Sequence, residues 1–424
     1  MKKILISILF TLICFTGFAQ GDKLEKAKLL LDVDSAQSAL AVLEPTSQFD
    51  IGQQPEALSL IGKAYLKSKN DSSAMLAFQK CLEISKSIND IEYEIESLYW
   101  LTRLSAITGK FERAVTFGED GSLLARLHQN NVMEFRINNF LSWAYFMTNK
   151  DFDKVLIHEQ RQLELVSKVG NDMQKAQVYN NLGYDLTIAG IVHLDSTISL
   201  MTWANDQYGK TENNKGRWYT LMNLTWQHRL KGDHQQAIEF GKLSLKQAQK
   251  EEDRHAIIEA SFQLGESLMA LGQLEEAKKF YDIGYKQSII QEDRDKYVFD
   301  VYYANYLFKL GELDKAIVLL EETVEFLTTS EVFYEMHGRA LLSLLYVKAG
   351  KPTLAQAQLD IIESPRHNYI AMETKCIAAI AAARLAGYSD KTKALLANWK
   401  KRAQEIGASQ IADWLDQELK TNSQ

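Results

Sequence analysis

Residues 262–281 read FQLGESLMALGQLEEAKKFY. Phe262, Leu264, Leu268 and Leu271 recur at helical spacing with the small Gly265 among them, and Gly272 then breaks the run. Leu274, Ala277 and Tyr281 resume it on the far side. Two amphipathic helices joined by a tight turn satisfy this pattern. The small residues let the helices approach, and the large ones fill the space that is left. Working outward, turn glycines stand at Gly109, Gly190, Gly232, Gly272, Gly311, Gly350 and Gly387, with Asn149 filling the gap between the first two. After Gly190 the steps are 42, 40, 39, 39 and 37. Phe111 and Ala114, and Leu313, Ala316 and Leu320, fall in the same frame. A near-constant period in this range marks an array of stacked units.

Residues 58–82 add a second signature. Ile61, Gly62 and Tyr65 sit in one helical run, and Ala74, Phe78 and Cys81 in the next. These spacings resemble the tetratricopeptide repeat. Nine repeats are expected, with turns near Lys69, Gly109, Asn149, Gly190, Gly232, Gly272, Gly311, Gly350 and Gly387, covering Glu56 to Glu405. The family period is about 34 residues, so the steps of 37 to 42 here indicate longer helices. That longer variety is similar to kinesin light chain and to bacterial receptors that sense signalling peptides. The resemblance implies an all-α fold, a right-handed superhelical solenoid with capping helices at its ends. If each repeat touches only its neighbours, the array should be extended.

Composition agrees. The chain has 424 residues, 46% hydrophobic and 24% charged, enough apolar content to bury a core. There are 4 prolines, Pro45, Pro55, Pro352 and Pro365, and none between Glu56 and Lys351, as long helices require. The formal charge is −7, and it becomes more negative if Lys2 and Lys3 are removed. A nucleic-acid or anionic-membrane partner is therefore not expected. Lys2 and Lys3 precede an apolar run from Ile4 to Phe18, with Gly17 and Ala19 as small residues before Gln20. This reads as a secretory leader over 1–19, cleaved between Ala19 and Gln20, which would leave the mature protein periplasmic or secreted. Cys14 lacks the small preceding residue of a lipid-carrying cysteine, and no later apolar window reaches 18 residues, so no membrane insertion is expected after cleavage. Cys81 and Cys376 fall in apolar helical patterns and read as buried hydrophobes. The expected organisation is N-terminal capping helices over 20–55, a first sub-array over 56–208 and a polar loop over 209–216. A second sub-array over 217–405 and a capping helix over 406–424 follow. The loop reads either as a surface insertion or as a hinge, and residues 191–196 as extra positions inserted after Gly190.

Chemistry-bearing motifs are sparse. The histidines include no pair four apart, and there is no Gly-rich phosphate loop, GxSxG elbow or EF-hand loop. No enzyme, metal or cofactor is expected. In the resembled family the first helix of each repeat lines a concave groove. Carried onto this chain from the turn glycines, that places Arg136, Asn139, Trp143 and Phe146 in the groove. Gln177, Asn180, Asn181 and Tyr184 follow, then Tyr219, Asn223, Trp226 and Arg229. Trp, Tyr and Arg anchor partners. Asparagine offers both a donor and an acceptor to an extended backbone, and the peptide-sensing relatives use asparagines at the positions of Asn181 and Asn223. The competing reading puts the aromatics in the inter-helix core. Two functions stand open: a scaffold that docks a protein or peptide, and a sensor or capture protein for a small molecule or glycan. The second would be favoured by a pocket joining Trp143, Tyr184 and Trp226 to carboxylates. A detached sensory half of a regulator is a third.

Overall fold

The computed structural model describes residues 20–148, 151–211, 214–328, 332–364 and 370–421. The expected leader and its cleavage site, the turn at Asn149, and Glu212 and Asn213 of the polar loop lie outside the described residues. Every regular element described is helical, and no strand occurs among the described residues. An opening pair, α1 (Gln20–Asp32) and α2 (Ala36–Leu43), packs on the first repeat through Leu24, Ala27, Leu30 and Leu43. The repeats are helix pairs. They run α3 (Gln54–Lys67) with α4 (Asp71–Ile88) and α5 (Ile91–Ile107) with α6 (Phe111–Leu127), on which α7 (Asn131–Thr148) packs; α8 (Phe152–Val169) follows and packs on the helix after it. Next come α9 (Asp172–Ala189) with α10 (Leu194–Lys210), α11 (Asn214–Lys231) with α12 (His234–Lys250), and α13 (Arg254–Ala270) with α14 (Leu274–Ser288). Last are α15 (Arg294–Lys309) with α16 (Leu313–Leu327), α17 (Val332–Lys348) with α18 (Pro352–Ile362), and α19 (Met372–Leu385) with α20 (Asp390–Glu405). A final helix, α21 (Ser409–Thr421), closes the chain.

Local chemistry starts and stops these helices. The side chains of Asn70, Asp90, Asp233, Asp253 and Asp293 accept hydrogen bonds from backbone N–H groups of the first turn that follows them. Asn171 and Gln174 form a reciprocal capping box at α9. Inside each pair, close approach decides which residue fits. A β-carbon on Gly265 would stand 2.4 Å from the Tyr281 ring, and one on Gly62 2.5 Å from Phe78. Both glycines precede their aromatic partner by sixteen positions, the frame seen in residues 262–281. Cys81 and Cys376 are buried and free.

The chain forms two compact units, 1–148 and 149–424. The boundary falls at 148/149 rather than at the polar loop. Hydrogen bonds run from α9 and α10 across to α11: Gln227 donates to the Gly183 carbonyl (3.1 Å) and to Thr187 (2.6 Å), and Thr197 donates to Gln227 (3.2 Å). A second polar group is buried where α8 meets α9. Glu159 and Asp185 share a hydrogen bond there, and burial pushes both carboxyls up, Asp185 to about 7.

Within the 149–424 unit, the expectation that each repeat touches only its neighbours fails. The backbone N–H of Leu194 donates to the Ile406 carbonyl at 2.9 Å. Gly190 is in the left-handed region (φ +59°), and a β-carbon there would lie 3.4 Å from the Met372 sulfur. α21 buries Ile411, Ala412 and Leu415, packing on α20 and reaching α11. Residues 191–196 are therefore not a free surface insertion but the place where the last repeat docks. The array in this unit curls until its end meets α9–α11.

Candidate functional site

In the 1–148 unit, Arg136 and Trp143 are exposed on α7, and Asn139 is half-buried beside them. The Trp143 ring meets Phe111 edge-on, with centroids 5.8 Å apart. On the preceding first helix, Trp100 stacks on Phe78 (5.4 Å), and the Arg103 guanidinium lies over Trp100 at 5.3 Å. Trp143 and Trp100 of this unit thus each pack a ring against a second helix of a repeat.

The 149–424 unit holds a more developed arrangement. A small pocket of about 40 Å³, open to solvent, is lined from the first helices of its repeats. Tyr184 comes from α9, Met222, Asn223 and Trp226 from α11, and Glu259 and Gln263 from α13. Tyr302 comes from α15, Phe333, Tyr334 and His337 from α17, and Glu373 and Thr374 from α19, with Ala371 beside it. The Tyr184 and Trp226 rings lie 5.6 Å apart.

Three of the expected residues are placed differently from a simple groove ladder. Asn223 is 5% exposed and donates from Nδ2 to Asn180 Oδ1 at 3.2 Å; Asn180 in turn donates to Asn181 at 3.5 Å. The amides form a chain across α11 and α9, so Asn223 is a packing residue as well as a pocket residue. Arg229, read as a groove anchor, is 2% exposed and holds Glu373 with two parallel hydrogen bonds of 2.9 and 3.1 Å. Trp226 Nε1 adds a 3.5 Å bond to the same carboxylate. Burial works against the Glu373 charge, but the guanidinium outweighs it and holds the carboxyl below its ordinary range. Arg229 is thus the clasp that ties α11 to α19, not a free anchor.

Asn223, Trp226, Tyr184 and Arg229 come together in or under one pocket, whereas Arg136, Asn139 and Trp143 belong to the other unit. Glu259, Gln263, Tyr302 and His337 were absent from the sequence reading. The signal for them existed: Gln263 and Tyr302 stand nine positions before Gly272 and Gly311, as Asn223 stands nine before Gly232. Glu259 and His337 stand thirteen before Gly272 and Gly350, as Tyr219 does before Gly232. Nothing local announces Glu373, because its partner lies 144 positions away.

His337 hydrogen-bonds Thr374 through Nδ1 at 3.0 Å, and burial lowers its basicity, keeping the ring neutral. Among the described residues, no group of three or more His, Cys, Asp or Glu could hold a metal ion. No helix among them is long and apolar enough to cross a membrane.

The tetratricopeptide repeat family model matches residues 55–88 and 258–282, the two stretches that carry the repeat signature in the sequence. None of the curated proteins matches the chain in sequence. Among solved structures, a Rap protein complexed with Competence and Sporulation Factor is similar in fold at 15% identity and a TM-score of 0.55. That similarity covers 95% of this chain and 96% of the other. The apo form of the quorum sensor NprR from B. thuringiensis is similar at 12% identity and a TM-score of 0.58, over 81% of this chain and 97% of that one. The Rap conjugation gene regulator of plasmid pLS20, in complex with the Phr* peptide, is similar at 16% identity and a TM-score of 0.51. It covers 80% of this chain and 93% of its own. The paired helices and the sixteen-residue glycine–aromatic frame make this chain a solenoid of tetratricopeptide-like helix pairs, with the tetratricopeptide repeat itself matched at residues 55–88 and 258–282.

Proposed function

We propose that the chain is a binding module with no reaction of its own, which takes a short peptide into the inner pocket of its 149–424 unit. The observation that carries this reading is the convergence of Tyr184, Asn223 and Trp226 with residues of four later repeats on one solvent-open pocket. Asn181, half-buried one turn before Tyr184 on α9, ends the amide chain from Asn223 and extends it toward a bound backbone. Two of the proteins similar in fold were solved as complexes, one with Competence and Sporulation Factor and one with the Phr* peptide, which supports a peptide as occupant. A binding role is supported by how two of the polar groups are used. Glu373 is committed to Arg229, and His337 is neutral on Thr374. A second reading, a glycan or other small molecule, is favoured by the compact joining of Tyr184 and Trp226 to Glu259 and Glu373.

Titration calorimetry on the full chain tests the peptide reading. With a pentapeptide selected from a random library, Asn181→Ala is expected to weaken binding by about 1–3 kcal/mol while leaving folding unchanged. Unchanged affinity in Asn181→Ala, together with unchanged affinity in Trp226→Leu, would contradict the reading. Residues 1–19 support a further part of the proposal, that the protein is exported and cleaved between Ala19 and Gln20. Intact-mass measurement of exported protein should then give a chain starting at Gln20, and a mass retaining Met1 would count against export.

A further inference from the structure

Two polar groups of the inner pocket are incompletely satisfied, one a carboxylate without a counter-charge and one an amide without a hydrogen bond to its oxygen. Glu259 is 3% exposed and accepts a 3.4 Å hydrogen bond from Tyr334, and it has no ion-pair partner among the described residues. One turn later on the same helix, Gln263 is 8% exposed, and its buried amide oxygen has no hydrogen-bond partner. Both side chains line the pocket. A buried polar atom without a partner is costly unless a ligand satisfies it.

The cations nearby are spent elsewhere. His255 holds Asp295 at 2.9 Å, Arg294 meets the same carboxylate at 3.1 Å, and Arg229 is bound by Glu373. No lysine or arginine is among the lining residues. Around the two acceptors stand aromatic faces: Tyr302 and Tyr334 with centroids 6.4 Å apart, and the Tyr184–Trp226 pair. An acidic group inside a ring of aromatic faces is what a desolvated cation requires, because the rings stabilise positive charge and the carboxylate neutralises it. An anionic ligand would meet a buried carboxylate and no free cation.

Resting on the reading of this pocket as a ligand site, we infer that it selects a protonated nitrogen on the short ligand, with Glu259 as its counter-ion and Gln263 as a hydrogen-bond partner. That nitrogen comes either from a free peptide amino terminus or from a basic side chain. Burial pushes the Glu259 carboxyl up against the opposing pull of His255 and Arg294, and a bound cation would bring it down.

The test is affinity selection on the full chain with two random pentapeptide libraries, one with free amino termini and one N-acetylated. If the amino terminus is the group bound, the free library is enriched about tenfold or more over the acetylated one. If a side chain is bound, both libraries converge on lysine or arginine at one position. In either case Glu259→Gln should lower affinity for the selected peptide by about tenfold or more without changing the thermal midpoint. Selection of acetylated sequences lacking lysine and arginine overturns the inference and leaves the peptide reading standing. Failure to enrich any sequence overturns both. Should Glu259→Gln not fold, the comparison of the two libraries on the wild-type chain decides alone.

Discussion

Arg229→Ala should destabilise the 149–424 unit by about 3–5 kcal/mol, the cost of leaving one partner of a buried ion pair without its counter-charge. Glu373 would then stand, 11% exposed at its side chain, against Trp226 and neutral His337 with no cation to hold it. The pair also joins elements 144 positions apart, so its loss should loosen the contact of α19 with α11. Removing both charges, as in Arg229→Met with Glu373→Leu, should cost much less, because no buried charge remains uncompensated. Urea unfolding of the three proteins measures this. With two units in the chain, the transition of the larger unit must be read by its own probe. A loss below about 1 kcal/mol in Arg229→Ala would show that the clasp is not what closes the unit.

The second large effect is a dependence on pH. Asp185 and Glu159 are buried together, and Asp185 is raised to about 7 from an ordinary value near 3.8. An acid whose folded value lies above its unfolded value contributes stability at low pH, and that stability is lost as pH rises through the folded value. Wild-type stability from this pair should therefore fall between about pH 4 and pH 7. Asp185→Asn removes the titrating charge while keeping the shape. It should match wild type within about 1 kcal/mol at pH 4 and exceed it by about 4 kcal/mol at pH 8. His228, His234 and His337, whose basicity burial lowers, act in the opposite sense as pH falls through about 6.5. The difference between variant and wild type isolates the acid pair from them. Parallel pH profiles for the two proteins would contradict the assignment.

What could be read from the sequence was local or periodic. Turn glycines, Asp and Asn caps and the Gly265–Tyr281 frame each act within one repeat, so the helix pairs were visible in the residues themselves. Asn223 and Trp226 could be placed by counting from Gly232, and the same count carried forward reaches Gln263 and Tyr302. Closure of the larger unit could not be read this way. It arises from small rotations summed over successive repeats, and its contacts, Arg229 with Glu373 and Leu194 with Ile406, join residues with no local pattern in common. For that reason Arg229 looked like a groove anchor and residues 191–196 like a free insertion. The burial of Asn223 was hidden by the same limit, since its partner Asn180 is supplied by the neighbouring repeat.

Hydrogen-exchange mass spectrometry of the full chain, with and without a selected pentapeptide, tests most directly whether the inner pocket of the larger unit is the ligand site. Slowed exchange is expected where the pocket is lined, on α9, α11, α13, α15, α17 and α19, with little change on the second helices of the repeats. Protection confined to residues 20–148, or to the second helices of residues 149–424, would contradict it.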